Sequence, residues 1–101
     1  MKRHKIIALC GSRKFKEKFQ EVQKKLTLAG HVVLSVHVFE HDTNLLSDST
    51  KEMLDSIQEQ RIEMADEIFV IDVGGYIDHN TKREIQHAGY FGKKVSYYSK
   101  M

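Results

Sequence analysis

Apolar positions along the chain follow two alternating periods. Residues 5–9 (KIIAL) form a short apolar run that ends near Gly11, the pattern of a buried strand. From Phe15 the period lengthens. Phe15, Phe19, Val22 and Leu26 recur at four, three and four residues, one face of a helix that Gly30 terminates. Residues 31–38 (HVVLSVHV) are β-branched and apolar and predict a second strand, and residues 39–48 lose periodicity and predict a polar loop. Ser49 and Glu52 have the S-x-x-E spacing of a capping box and predict a helix to about Ala65. Its inward side is expected to be Met53, Leu54, Ile57, the stem of Arg61, and Met64. Residues 67–72 (EIFVID) predict a third strand, and residues 73–80 a turn-rich connection carrying Gly74 and Gly75. Thr81 and Glu84 repeat the capping-box spacing and open a helix to Phe91; Gly92 caps it, and residues 93–98 (KKVSYY) predict the last strand.

The order β-α-β-α-β-α-β predicts an α/β fold: a small doubly wound, flavodoxin- or Rossmann-like parallel sheet of about four strands in the order 2-1-3-4, with three main helices. The apolar character of all four strands agrees, because such sheets are covered on both faces. Residues 1–101 are expected to form one domain. Ligands of such sheets bind beyond the carboxyl ends of the strands, where the strand order reverses, here between the first and third strands. That geometry nominates residues 10–14 and residues 72–84 as the walls of a site.

Composition narrows the class. A chain with 41% hydrophobic and 30% charged residues is expected to fold and to be soluble, and a net charge of +2 gives no reason to expect dedicated nucleic-acid binding. The lone cysteine, Cys10, excludes an internal disulfide and a cysteine-rich zinc site, and fits a reducing cytoplasm. No apolar run is long enough to span a bilayer, and the N-terminus lacks the apolar core of a signal peptide. The histidines are scattered, so no metal site and no cofactor are expected.

Two readings apply to each nominated segment. Gly11, Ser12 and Arg13 either make a turn and cap a helix, or bring a close backbone, a hydroxyl and a guanidinium to an anion at a helix N-terminus. Gly74, Gly75 and Tyr76 suit a backbone that passes close to a ligand, with Tyr76 and Tyr90 as aromatic surface for a planar base. Spacing alone makes Glu84 a cap. The functional alternative is a carboxylate at the crevice, kept ionised by nearby helix N-termini and so suited to act as a nucleophile. Asp72, at the crevice end of the third strand, is placed to serve as an acid, a base or a ribose ligand, whereas Asp66 lies at the other end of the sheet and caps a turn. Asp55, Glu59 and Glu63 form a stripe on the second helix. The stripe is either a solvated face or the source of the second carboxylate that glycosyl chemistry uses.

The segments IIALCGSRKF, MADEIFVIDVGGY and NTKREIQHAGYFGKKV resemble the nucleoside 2-deoxyribosyltransferase-like superfamily, which includes 2'-deoxynucleoside 5'-monophosphate N-glycosidases. The closest likeness is to small phage and bacterial members with an ADEIFVI-x-VGGYI…T-x-x-EI pattern. A related resemblance, through C-G-S and a Gly-rich loop before T-x-x-E, is to the phosphoribohydrolases that activate cytokinins.

The resemblance implies that Glu84 attacks the anomeric carbon of a nucleoside or nucleotide. It also implies that Gly11, Ser12 and Arg13 hold substrate and that Thr81 serves a phosphate. A homodimer or larger homo-oligomer is implied too, for which Tyr97, Tyr98 and the second helix offer surface. One departure stands out: the superfamily carries an Asp eight residues before the A-D pair, and this chain has Gln58 there. Glu63, Asp55 and Asp72 are the carboxylates left to act as acid. Two function classes follow: cleavage or transfer at an N-glycosidic bond, or a non-catalytic module of the same fold that binds or sequesters a nucleotide. A purely structural domain is the third alternative.

Overall fold

The computed structural model describes residues 3–36 and 46–101. Four strands, β1 (Ile6–Gly11), β2 (Val32–Leu34), β3 (Glu67–Ile71) and β4 (Lys94–Tyr97), form one parallel sheet in the order β2-β1-β3-β4. The connecting helices are α1 (Lys16–Leu28), α2 (Asp48–Met64) and α3 (His79–Tyr90). The expected strand order and helix number are both observed. Calls that fall on residues 37–45, including the far end of the second predicted strand and most of the loop after it, lie outside the described residues.

Alternation along the central strands builds two cores. Ala8 and Cys10 of β1, with Ile68 and Val70 of β3, face Ile62 and Ala65 of the α2 end and Ala88 of α3. Leu9 and Ile71 face the other way, onto Phe19 and Val22 of α1, with Phe15 and Leu26 packed alongside. The four-three-four spacing of the first helix therefore marks its buried face correctly. At the sheet's amino edge, Asp66 accepts from the Ile6 N–H at 2.7 Å while its own N–H donates to the Ile6 carbonyl at 2.8 Å, so it joins β3 to β1 rather than capping a turn.

Three expectations are corrected. The α2 cap is Ser47, not Ser49: its hydroxyl accepts from the Thr50 N–H at 3.2 Å, which places Asp48 in the first turn against the positive end of the helix dipole. The inward face of α2 is Gln58 and Ile62, with Leu54, Ile57 and Arg61 half-buried, whereas Met53 and Met64 are 53% and 57% exposed. Tyr97 and Tyr98 are not free surface. They pack against the two cores, one on each, and the exposed aromatics among the described residues are instead Tyr76, Tyr90 and Phe91.

β1 runs two residues further than its apolar run suggested, because Gly11 still pairs with Ile71. There the backbones are crowded: a Cβ on Gly11 would meet the Ile71 carbonyl oxygen at 2.8 Å and the Phe19 ring at 3.2 Å, at a φ of +152°. Gly11→Ala is expected to lower stability by about 2 kcal/mol, read as a lower urea midpoint with an unchanged slope.

Candidate functional site

A cavity of about 480 Å³ lies beyond the carboxyl end of β1. Gly11, Ser12 and Arg13 line it from the β1–α1 connection, Asp78, Asn80 and Glu84 from the start of α3. From α2 come Lys51, Leu54, Asp55, Gln58 and Arg61. Leu54, Gln58 and Arg61 recur at four and three residues, so they share one helix face, and Lys51 continues it one turn earlier. That face carries polar side chains because it looks into the cavity rather than onto the sheet. A smaller cavity of about 310 Å³ adjoins it, and Asp55, Gln58, Asn80 and Glu84 line both.

Glu84 is not a capping residue. The α3 cap is Asp78, whose Oδ1 accepts from the Thr81 N–H at 2.8 Å and from the Thr81 hydroxyl at 2.6 Å. A carboxylate is the stronger acceptor at a helix N-terminus, so the helix starts earlier than the T-x-x-E spacing implied. Glu84 consequently sits in the second turn, turned towards the carboxyl end of β1.

Its Oε1 accepts from Gln58 Nε2 at 3.3 Å, and the Cys10 thiol is its neighbour on the β1 side. Burial pushes its pKa up to about 7. Cys10 and Gln58 pull the other way, and the charges of Asp78 and Asp55 add to the rise. The expectation that helix N-termini hold this group ionised is thus corrected: loss of hydration outweighs them. Burial, followed by the Glu84 charge, also raises the Cys10 thiol well above its ordinary value, which leaves it a protonated donor rather than a reactive thiolate.

Gln58 is the hub of this corner. Its Nε2 also lies 3.0 Å from the Leu9 carbonyl and 3.6 Å from Cys10 Sγ, and its Oε1 accepts from Arg61 Nη1 at 3.1 Å. The Val32 N–H donates to the Lys5 carbonyl, so by alternation the carbonyls of Ile7 and Leu9 also point to the β2 side. The β1–β2 register ends at Ala8 and Leu34. The Leu9 carbonyl lies past that pairing, and the Gln58 amide satisfies it.

Several residues singled out in the sequence lie elsewhere. Asp72 is 3% exposed and accepts from the Ser99 N–H at 2.9 Å and the Ser99 hydroxyl at 2.7 Å, so its carboxylate ties down the C-terminal turn. Glu63 is bound to His87 Nε2 at 2.8 Å, with Glu59 on the opposite ring nitrogen at 3.7 Å. Gly74 and Gly75, with φ of 64° and 80°, form a tight turn after β3. Tyr76 leaves that turn to stack edge-on against Phe15 and under the Lys14 ammonium, 3.4 Å from its ring centroid.

Tyr90 is 85% exposed at the far end of α3 against Phe91, and Thr81 is 1% exposed with its hydroxyl donated to Asp78. None of these lines the larger cavity. Lys51 and Arg61 were missed as cavity residues, and Asp78 and Asn80, inside the nominated 72–84 wall, were not singled out. The available signal was the stripe at positions 51, 54, 58 and 61, which mixes charge and amide at helical spacing.

No family model matches the sequence, and no curated protein matches it. Solved structures do. A 2-deoxyribosyltransferase from the psychrotolerant bacterium Bacillus psychrosaccharolyticus superposes with a TM-score of 0.68, over 91% of this chain and 70% of that protein, at 20% identity. At that identity the likeness shows a shared fold.

Glu84 gives a linkage that can be measured. Its ordinary pKa is 4.5 and its folded pKa about 7, so across that interval the folded chain holds more proton than the unfolded one and stability falls as pH rises. Glu84→Gln is expected to stabilise the protein by about 3 kcal/mol at about pH 8 and to change little near pH 4, in urea titrations at the two values.

Proposed function

We propose that this protein cleaves the N-glycosidic bond of a nucleoside or nucleoside 5'-monophosphate, by hydrolysis or by deoxyribosyl transfer, with Glu84 as nucleophile. The observation that carries the reading is the Glu84 carboxyl group: poorly hydrated, held by the Gln58 amide, and lining a cavity that the Gly11–Ser12–Arg13 turn also lines. The fold shared with a 2-deoxyribosyltransferase supports it, as does the resemblance of the T-K-R-E-I segment. Kinship with the small phage and bacterial members of the superfamily belongs to the same proposal.

In the first step a Glu84 oxygen bonds to C1' of the sugar, and the bond electrons leave on the base nitrogen, which takes up a proton. Asp55 is the group we assign to that proton transfer: it lines the cavity beside Glu84, whereas Asp72 and Glu63 are committed to Ser99 and His87. In the second step water, or a second base, attacks C1' from the vacated side and releases Glu84, with overall retention. Ser12 and Arg13 receive the 5' end of the sugar. Gly74, Gly75, Tyr76 and Thr81 act through the turn and the cap that place Asp78 and Asn80, not by contact with substrate. A homo-oligomer and a cytoplasmic location complete the proposal.

A second reading, a nucleotide-binding module without turnover, is favoured by one observation. Gln58 stands where the resemblance calls for an Asp, and an amide cannot pass a proton.

The test is a panel of ribo- and deoxyribonucleosides with their 5'-monophosphates, scored by chromatography of free base. The enzyme reading expects base release that Glu84→Gln lowers by about 10³-fold or more. Because the nucleophile must be ionised while the group that protonates the base must be protonated, kcat/KM is expected to follow a bell-shaped pH profile, with one limb near 7 set by Glu84 and the other by the proton donor. A raised melting temperature with a nucleotide, and no base from any substrate, would establish the binding module instead.

A further inference from the structure

The direction of the Gln58 amide is fixed by chemistry on both sides. Arg61 has N–H donors and no acceptor, so the Gln58 oxygen must face it; the Leu9 carbonyl only accepts, so the Gln58 nitrogen must face that. The amide cannot turn over without setting oxygen against oxygen and nitrogen against nitrogen. One of its two hydrogens is taken by Leu9 at 3.0 Å, and the other is left for Glu84 Oε1 at 3.3 Å, with Cys10 Sγ at 3.6 Å.

We propose that Gln58, oriented by Arg61 and Leu9, is the positioning residue of Glu84: an obligate donor that holds the carboxylate against the cavity wall. Gln58 is then a replacement with a defined task rather than an acid that was lost. The inference rests on the reading of Glu84 as the reacting group. It deepens that reading by stating how a carboxylate with so little water around it is kept usable.

Donation from Gln58 favours the charged form of Glu84. The other groups facing Glu84 come from each neighbouring element. Cys10 of β1 favours its charged form, and Asp55 of α2 and Asp78 at the head of α3 oppose it. Arg61 reaches it through Gln58, and Glu59, Arg83 and His87 share the smaller cavity. Gln58 is thus the neutral donor set against two acidic neighbours.

Nuclear magnetic resonance tests this on the protein as it stands, without substrate. The Glu84 side-chain carboxyl carbon, assigned with Glu84→Gln, is titrated together with the side-chain N–H signals of Gln58. The Gln58 signals are expected to move with the same midpoint as Glu84. Gln58→Met keeps the length and removes the donor, and is expected to raise the Glu84 midpoint by about one pH unit. Gln58→Asn draws the amide nitrogen back by one methylene from both Leu9 and Glu84, and is expected to raise the midpoint likewise. Gln58 signals that ignore the Glu84 titration, or a folded variant of either kind with an unchanged midpoint, would overturn the proposal.

Turnover separates the two claims. If base is released, Gln58→Met should lower kcat about tenfold with KM little changed. If the titrations behave as expected but no substrate is cleaved, Gln58 still positions Glu84 and the assignment of Glu84 as nucleophile fails.

Discussion

A single backbone carbonyl, that of Leu9, sets the terms for the corner of the molecule where the cavity lies. β1 is the second strand of the sheet, and its pairing with β2 stops at Ala8. A buried carbonyl past that point needs a donor, and an unmet one costs roughly 1–3 kcal/mol. The donor is a side chain from α2, so the amide reaches across the edge left by a short strand. Once it is there, α2 is held over the end of β1, and its next polar neighbours, Asp55 and Arg61, border the cavity. α3 closes the third side with Glu84. One unpaired strand position thereby brings three elements to a point.

The fold was readable because it depends on period. Apolar runs of strand length alternate with a four-three-four helix pattern, and that alternation dictates a parallel sheet whose faces are both covered. What was misread depends on competition between near-equal candidates. Ser47 and Ser49 both offer a hydroxyl, and Asp78 and Thr81 both offer an oxygen; in each case the acceptor nearer the N-terminus captures the free N–H groups. Met53 and Met64 looked inward because hydrophobicity was counted without knowing that α2 overhangs a polar opening. The same overhang turns Gln58 inward.

The site was half legible. Gly11, Ser12, Arg13 and Glu84 were found, since a strand-to-helix turn and a helix start beyond the sheet's carboxyl end are places where backbone donors gather. Asp72 and Tyr76 were drawn in by the same rule and do not line the cavity. At the end of a strand, a carboxylate can serve the chain's own next turn as readily as a ligand, and here Ser99 takes it. Nothing in the sequence near Asp72 distinguishes the two, because its partner is 27 residues away. Long-range pairings of this kind lie beyond any local pattern. The raised pKa of Glu84 belongs with them, since it depends on burial under residues from three distant segments.

The register of the sheet also has a history in time. β1 pairs with β3 from Ile7 and Glu67 onward, and the Ile6–Asp66 bonds that open the ladder join residues 60 apart. The two central strands are therefore separated in sequence by α1, β2 and α2, which makes their pairing a non-local and comparatively slow closure. The walls of the cavity come from segments equally far apart, around residues 11–13, 51–61 and 78–84, so no single stretch of the chain carries the cavity by itself.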